Sequence, residues 1–143
     1  MLSRKKFIRQ GVLAGGTMMA GSSVLRAAEY FLPVKLTILH TNDTHSRIEP
    51  FPMDGGRNQG LGGVAARAEL INKIRQEEEH VLLLDAGDIF QGTPYFNIYK
   101  GEPEIKAMTA MNYDACTIGN HDFDAGMENL ATQLTHHAKF PML

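Results

Sequence analysis

Val34-Lys35-Leu36-Thr37-Ile38-Leu39 runs directly into His40-Thr41-Asn42-Asp43-Thr44-His45, so an apolar, β-branched segment ends in side chains able to bind ions. The first half reads as a buried strand over Val34 to Leu39, and the second as the loop that this strand delivers at its carboxyl end. The pattern recurs twice. Val81 to Asp85 is an apolar run closed by Ala86-Gly87-Asp88, and Asp114 to Ile118 is one closed by Gly119-Asn120-His121. Between the runs the period becomes helical. Val64, Ala68, Ile71 and Ile74 recur at spacings of four and three, in a helix expected to end near Glu79-His80. Glu102 to Met111 and Ala125 to His136 also read as helices, and Phe140 to Leu143 as a fourth strand that the chain end cuts short. Residues 46–63 hold Pro50, Pro52 and several glycines, which cannot propagate a helix or a central strand, so they form a long loop. Strands alternating with helices make an α/β layered domain, whose binding residues gather in the loops beyond the strands' carboxyl ends. All three polar clusters fall there.

Each cluster carries a chemical reading and a blander one. In Asp43-Thr44-His45 a carboxylate and an imidazole stand two residues apart, so an extended strand end would point both at one ion. A surface pair or a capping Asp explains the same residues. Asp88 follows a glycine that frees the backbone for close approach, and its two oxygens could bridge two cations or cap a turn. Asn120 offers a neutral amide oxygen to a metal, while His121 can aim its ring at a substrate. Asp124, three residues on, could hold one ring nitrogen of His121 and raise its proton affinity, or cap a helix starting near Ala125. Cys116 is the single cysteine, which excludes an internal disulfide, and its apolar surroundings make it a small buried residue.

With 143 residues the chain suits one domain. Five of its 14 basic residues lie within the first 28, which hold no acid, so the rest carries nine cations against all 16 acids. An acidic body argues against a protein that wraps a nucleic acid polymer and suits one that binds cations. Ser3-Arg4-Lys5-Lys6-Phe7-Ile8-Arg9, the uncharged Gln10 to Leu25 and then Ala27-Ala28 follow the order of an export signal peptide. The start is similar to the twin-arginine signal, with Lys5 where the second Arg belongs. Residues 1–28 are therefore expected to be removed, leaving 29–143 in a periplasmic or extracellular location. The Gly- and Ser-rich run is shorter than the roughly 20 apolar residues of a spanning helix, so no stable membrane anchor is expected.

Three motifs, L-T-I-L-H-T-N-D-T-H from Leu36, L-L-D-A-G-D-I-F-Q-G-T from Leu83 and I-G-N-H-D-F-D from Ile118, complete the picture. Through them the stretch from Leu36 to about Leu130 resembles the metallophosphatase domain of the 5'-nucleotidase and 2',3'-cyclic phosphodiesterase family. The resemblance implies a four-layer α/β/β/α calcineurin-like sandwich, with residues 29–143 as its amino-terminal portion. It implies that Asp43 and His45 bind one metal, that Asp88 bridges two, that Asn120 binds the second, and that His121 and Asp124 form the catalytic dyad. The two divalent ions would be zinc, manganese, cobalt or iron, since mixed nitrogen and oxygen ligands suit all four. The reaction implied is hydrolysis of a phosphomonoester such as a nucleotide, with water attacking phosphorus and His121 assisting the leaving group. The family also uses histidines of a Gly-His pair and a Gly-His-x-His motif, which this sequence lacks. His136 and His137 do not match them and read as a solvated helix end. A segment beyond residue 143 is expected to supply those ligands and substrate recognition. Two alternatives stand beside this reading: a thiosulfohydrolase of sulfur oxidation on the same fold, and a non-catalytic module that binds metal or phosphate.

Overall fold

The computed structural model describes residues 33–143; the expected leader, residues 1–28, lies outside the described residues. Its centre is a parallel sheet of β1 (Thr37–Thr41), β2 (Val81–Asp85) and β3 (Ala115–Cys116) in the order β1-β2-β3. Parallel neighbours need crossovers. A long loop and α1 (Val64–Glu77) join β1 to β2, and α2 (Pro94–Tyr99) with α3 (Glu102–Ala110) join β2 to β3. A 3₁₀ turn (His121–Phe123) and α4 (Met127–His137) follow.

The boundaries differ from the sequence expectations where tertiary contacts decide them. β1 starts at Thr37 rather than Val34, because Thr37 N–H bonds His80 O just before β2 and, among the described residues, earlier ones have no partner strand. α1 stops at Glu77, since Glu78 turns extended and pairs with Lys35 at 2.6 Å. β3 keeps two residues: at Asp114 the side chain, not the backbone, accepts the Leu83 N–H at 2.7 Å. The expected fourth strand reduces to one bridge, Cys116 to Met142. α2 was not anticipated; Pro94 stands in its first turn and Lys100, in the left-handed region, ends it.

Register places Leu39 beside Leu83, and Thr41 beside Asp85 and Cys116, on one face of the sheet. That face carries the core. Leu83 and Cys116 join Ile71 of α1, Phe96 of α2, Ile105 and Met108 of α3 and Leu130 of α4 in one buried cluster. The opposite face holds Ile38, His40, Leu82 and Leu84, and Ile38 is 60% exposed. Among the described residues no helix is long and apolar enough to cross a membrane.

Candidate metal centre

Beyond the sheet's carboxyl edge the β1–β2 pairing continues into the loops. Asp43, His45 and Ser46 donate their N–H groups to Gly87, Asp88 and Ile89 O at 3.0, 3.1 and 2.8 Å. The path is not the extended one expected of Asp43-Thr44-His45. Asp43, His45, Ser46 and Asp88 have φ of 49, 44, 52 and 56°, in the left-handed region that non-glycine residues seldom occupy. Cross-loop hydrogen bonds hold them there and turn the side chains of 43, 45 and 88 to a common point. One ligand atom from each lies within 4.8 Å of the others. A carboxylate pair with an imidazole is a donor set that fits a divalent cation of the zinc to manganese range. His45 Nδ1 faces Phe90 O at 3.3 Å, which leaves Nε2, 3.7 Å from Asp43 Oδ1, as the nitrogen on the ligating side.

The third loop is pressed against the second. Gly87, at φ +91°, packs so closely that a Cβ there would lie 2.4 Å from Gly119 N. A Cβ on Gly119 would stand 2.1 Å from Asp88 Oδ1. Asp88 Oδ1 also accepts the His121 N–H at 2.8 Å, so the exposed Asn120 sits between two residues in contact with this carboxylate. The His121 ring lies edge-on to His45, with centroids 5.3 Å apart. Its Nδ1 is 2.8 Å from Asp124 Oδ2. That bond raises the imidazole above its ordinary pKa, and the negative charges of Asp124, Asp88 and Asp122 add to the effect. Asp124 is not a helix cap: α4 begins at Met127 behind Gly126, and no side chain caps it.

Two carboxylates behind the site carry no role in the sequence reading. Asp85 accepts the Gly87 N–H at 2.8 Å and a bond from Thr41 Oγ1, and burial raises its carboxyl above the usual range. Asp122 is completely buried and accepts four backbone N–H groups. The only hint of it was a second acid in His121-Asp122-Phe123-Asp124. Cys116 is buried as expected, and burial with the nearby Asp85 charge pushes its thiol far up. His136 is exposed at the end of α4, and His137 half-buried. Beside Asp43 and His45 opens a cavity of about 630 Å³ lined by Arg47, Phe51, Arg67 and Leu70, with the Arg47 guanidinium 4.2 Å above the Phe51 ring.

Comparison with known proteins converges on one family. Residues 36–141 match the model of the calcineurin-like phosphoesterases. A 5'-nucleotidase of Crotalus adamanteus venom is 50% identical over 112 residues, which are 76% of this chain and 19% of that protein. The Homo sapiens 5'-nucleotidase is 48% identical over 113 residues, 76% of this chain and 20% of its own length. The crystal structure of a 5'-nucleotidase precursor from Thermus thermophilus superposes with a TM-score of 0.68 at 41% identity, covering 76% of this chain and 21% of that one. The chain thus spans about a fifth of the length of these relatives.

Proposed function

The chain belongs to the calcineurin-like phosphoesterase family, and from that premise we propose that it forms one side of the active site of an exported, metal-dependent phosphomonoesterase of the 5'-nucleotidase type. The observation that carries the reading is the meeting of Asp43, His45 and Asp88 within 4.8 Å, with the His121–Asp124 pair beside them. Asp43 and His45 would hold one divalent ion, Asp88 would be shared with a second, and Asn120 would add its amide oxygen to the second. Such ions, when bound, supply a water that ionises near neutral pH and offset the charge on phosphoryl oxygens.

The chain's own residues do the rest. Asp124 takes the Nδ1 proton of His121 into a hydrogen bond, which favours the imidazolium and leaves Nε2–H to face the substrate. That proton passes to the leaving oxygen as its bond to phosphorus breaks. Arg47 and Arg67 set positive charge in the cavity beside Asp43, where an anionic ester would enter. A nucleotide as substrate is supported by the names of the relatives, and export by the venom relative and the basic, small-residue start of the chain. The remaining metal ligands and the groups that recognise the substrate come, in this reading, from sequence outside these 143 residues.

The test is phosphate release from a nucleoside 5'-monophosphate by the full-length protein, with bound metal counted in parallel. His121→Ala is expected to lower kcat roughly 100-fold or more while metal content holds. Asp88→Ala is expected to lose the metal. Equal metal loss in both variants would overturn the division of roles, and a metal-replete protein that releases no phosphate would leave a binding module as the better reading.

A further inference from the structure

Asp122 is a carboxylate with no exposed surface, and among the described residues no Lys, Arg or His forms an ion pair with it. A buried charge without a counter-ion persists when hydrogen bonds saturate it. Here the saturation is complete and aimed at one place. Oδ1 accepts the N–H of Ile89 at 2.8 Å and of Phe90 at 3.0 Å. Oδ2 accepts the N–H of Asp88 at 3.1 Å and of Gly119 at 2.8 Å. The donors belong to the two loops that carry Asp88 and Asn120, on strands β2 and β3. We propose that Asp122 is the positioning residue of the metal centre: its carboxylate clamps the Asp88–Phe90 loop to the Gly119–His121 turn and sets their geometry before any ion arrives. The inference rests on the reading of Asp88 and Asn120 as ligands.

Two accepting oxygens are what the clamp needs. In Asp122→Asn one carboxylate oxygen becomes an NH₂ group, which must face two N–H donors, either the Ile89–Phe90 pair or the Asp88–Gly119 pair. Two donors then lose their acceptor, and the loops separate where the ligands sit. The geometry of Asp88 is strained as well, at φ 56°, so it depends on such support.

The experiment is a titration of the full-length, metal-free protein with Mn²⁺ and with Zn²⁺, in wild type, Asp122→Asn, Asp88→Ala and the core control Ile105→Val. Asp122→Asn is expected to weaken binding roughly 10- to 100-fold, whereas Ile105→Val lowers thermal stability and leaves affinity unchanged. Native affinity in Asp122→Asn would overturn the proposal. If Asp88→Ala also kept native affinity, the ligand assignment itself would have failed. A second measurement stands without the variant. Amide hydrogen exchange in the metal-free wild type should protect residues 88, 89, 90 and 119 as strongly as the core strand at Leu83. Fast exchange at those four amides that slows on metal loading would show that the ion, not Asp122, orders the loops.

Discussion

Glu104, on α3, is 3% exposed, and among the described residues neither of its carboxylate oxygens has a hydrogen-bond partner. Burial raises its carboxyl above the ordinary range, and Ser46 Oγ is likewise without a partner among the described residues. The folded protein therefore binds this proton more tightly than the unfolded chain does. Its contribution to stability is fully present below the ordinary glutamate pKa and is lost as pH rises through the raised one. Glu104→Gln should flatten that dependence and match or exceed the wild type in stability near neutral pH, as urea unfolding at a series of pH values would reveal. A variant less stable than wild type at pH 8 would mean that the carboxylate has a partner. At the site, the same kind of reasoning isolates Asp124. Its side chain hydrogen-bonds the His121 ring and, among the described residues, none of the candidate ligands, so Asp124→Asn should lower turnover roughly 10- to 100-fold with metal content unchanged. Loss of metal in that variant would instead place Asp124 in the ion's own shell.

The loops that follow the strands meet through glycine, and two glycines separate close approach from backbone strain. Gly126 has φ +88° with open space around its would-be Cβ, so Gly126→Ala should cost roughly 1–2 kcal/mol from the left-handed backbone and leave metal affinity intact. Gly119→Ala would drive a methyl group to 2.1 Å from Asp88 Oδ1 and 2.3 Å from its backbone N. Something on the backbone must move, so a loss of roughly 1–3 kcal/mol should come with loss of metal binding, read by denaturant midpoint and metal titration. The same contrast explains what the sequence made legible. β2 falls on the expected residues, Val81 to Asp85, and α1 starts where the four-and-three spacing starts, because apolar period is a local signal. Asp43, His45, Asp88, Asn120, His121 and Asp124 stand out in the sequence as polar residues just past apolar runs, and the roles expected of them come from the family resemblance. The left-handed turns at Asp43, His45 and Ser46 were not legible, since their backbone N–H groups bond to residues 87–89. Asp122 was missed for a like reason: its donors at 88–90 lie more than 30 positions upstream, and in sequence it is one acid among several. α2 has six residues, less than two turns, too few to display a period.

A parallel sheet is ordinarily covered on both faces, and here the two faces differ. Leu83, Asp85 and Cys116 lie buried under the helices, whereas Ile38 on the other face is 60% exposed and its register partner Leu82 half-buried. The fold is the calcineurin-like one, for which the family resemblance implies four layers with a second sheet against the first, and the described residues contribute one sheet with its helices. An apolar sheet face open to water carries a free-energy penalty of roughly 25 cal/mol per Å², which contact with dye or with another copy would relieve. The 143-residue chain alone should therefore bind a fluorescent apolar dye and associate as its concentration rises. Ile38→Thr keeps the β-branched shape that suits the strand while removing apolar surface, so it should reduce both signals without unfolding the protein. Leu83→Thr, on the buried face, should instead unfold it. In the full-length protein the dye signal of the wild type should fall to that of an ordinary closed surface. If it stayed high there, nothing in the longer chain would be covering this face, and the four-layer arrangement would not hold at β1.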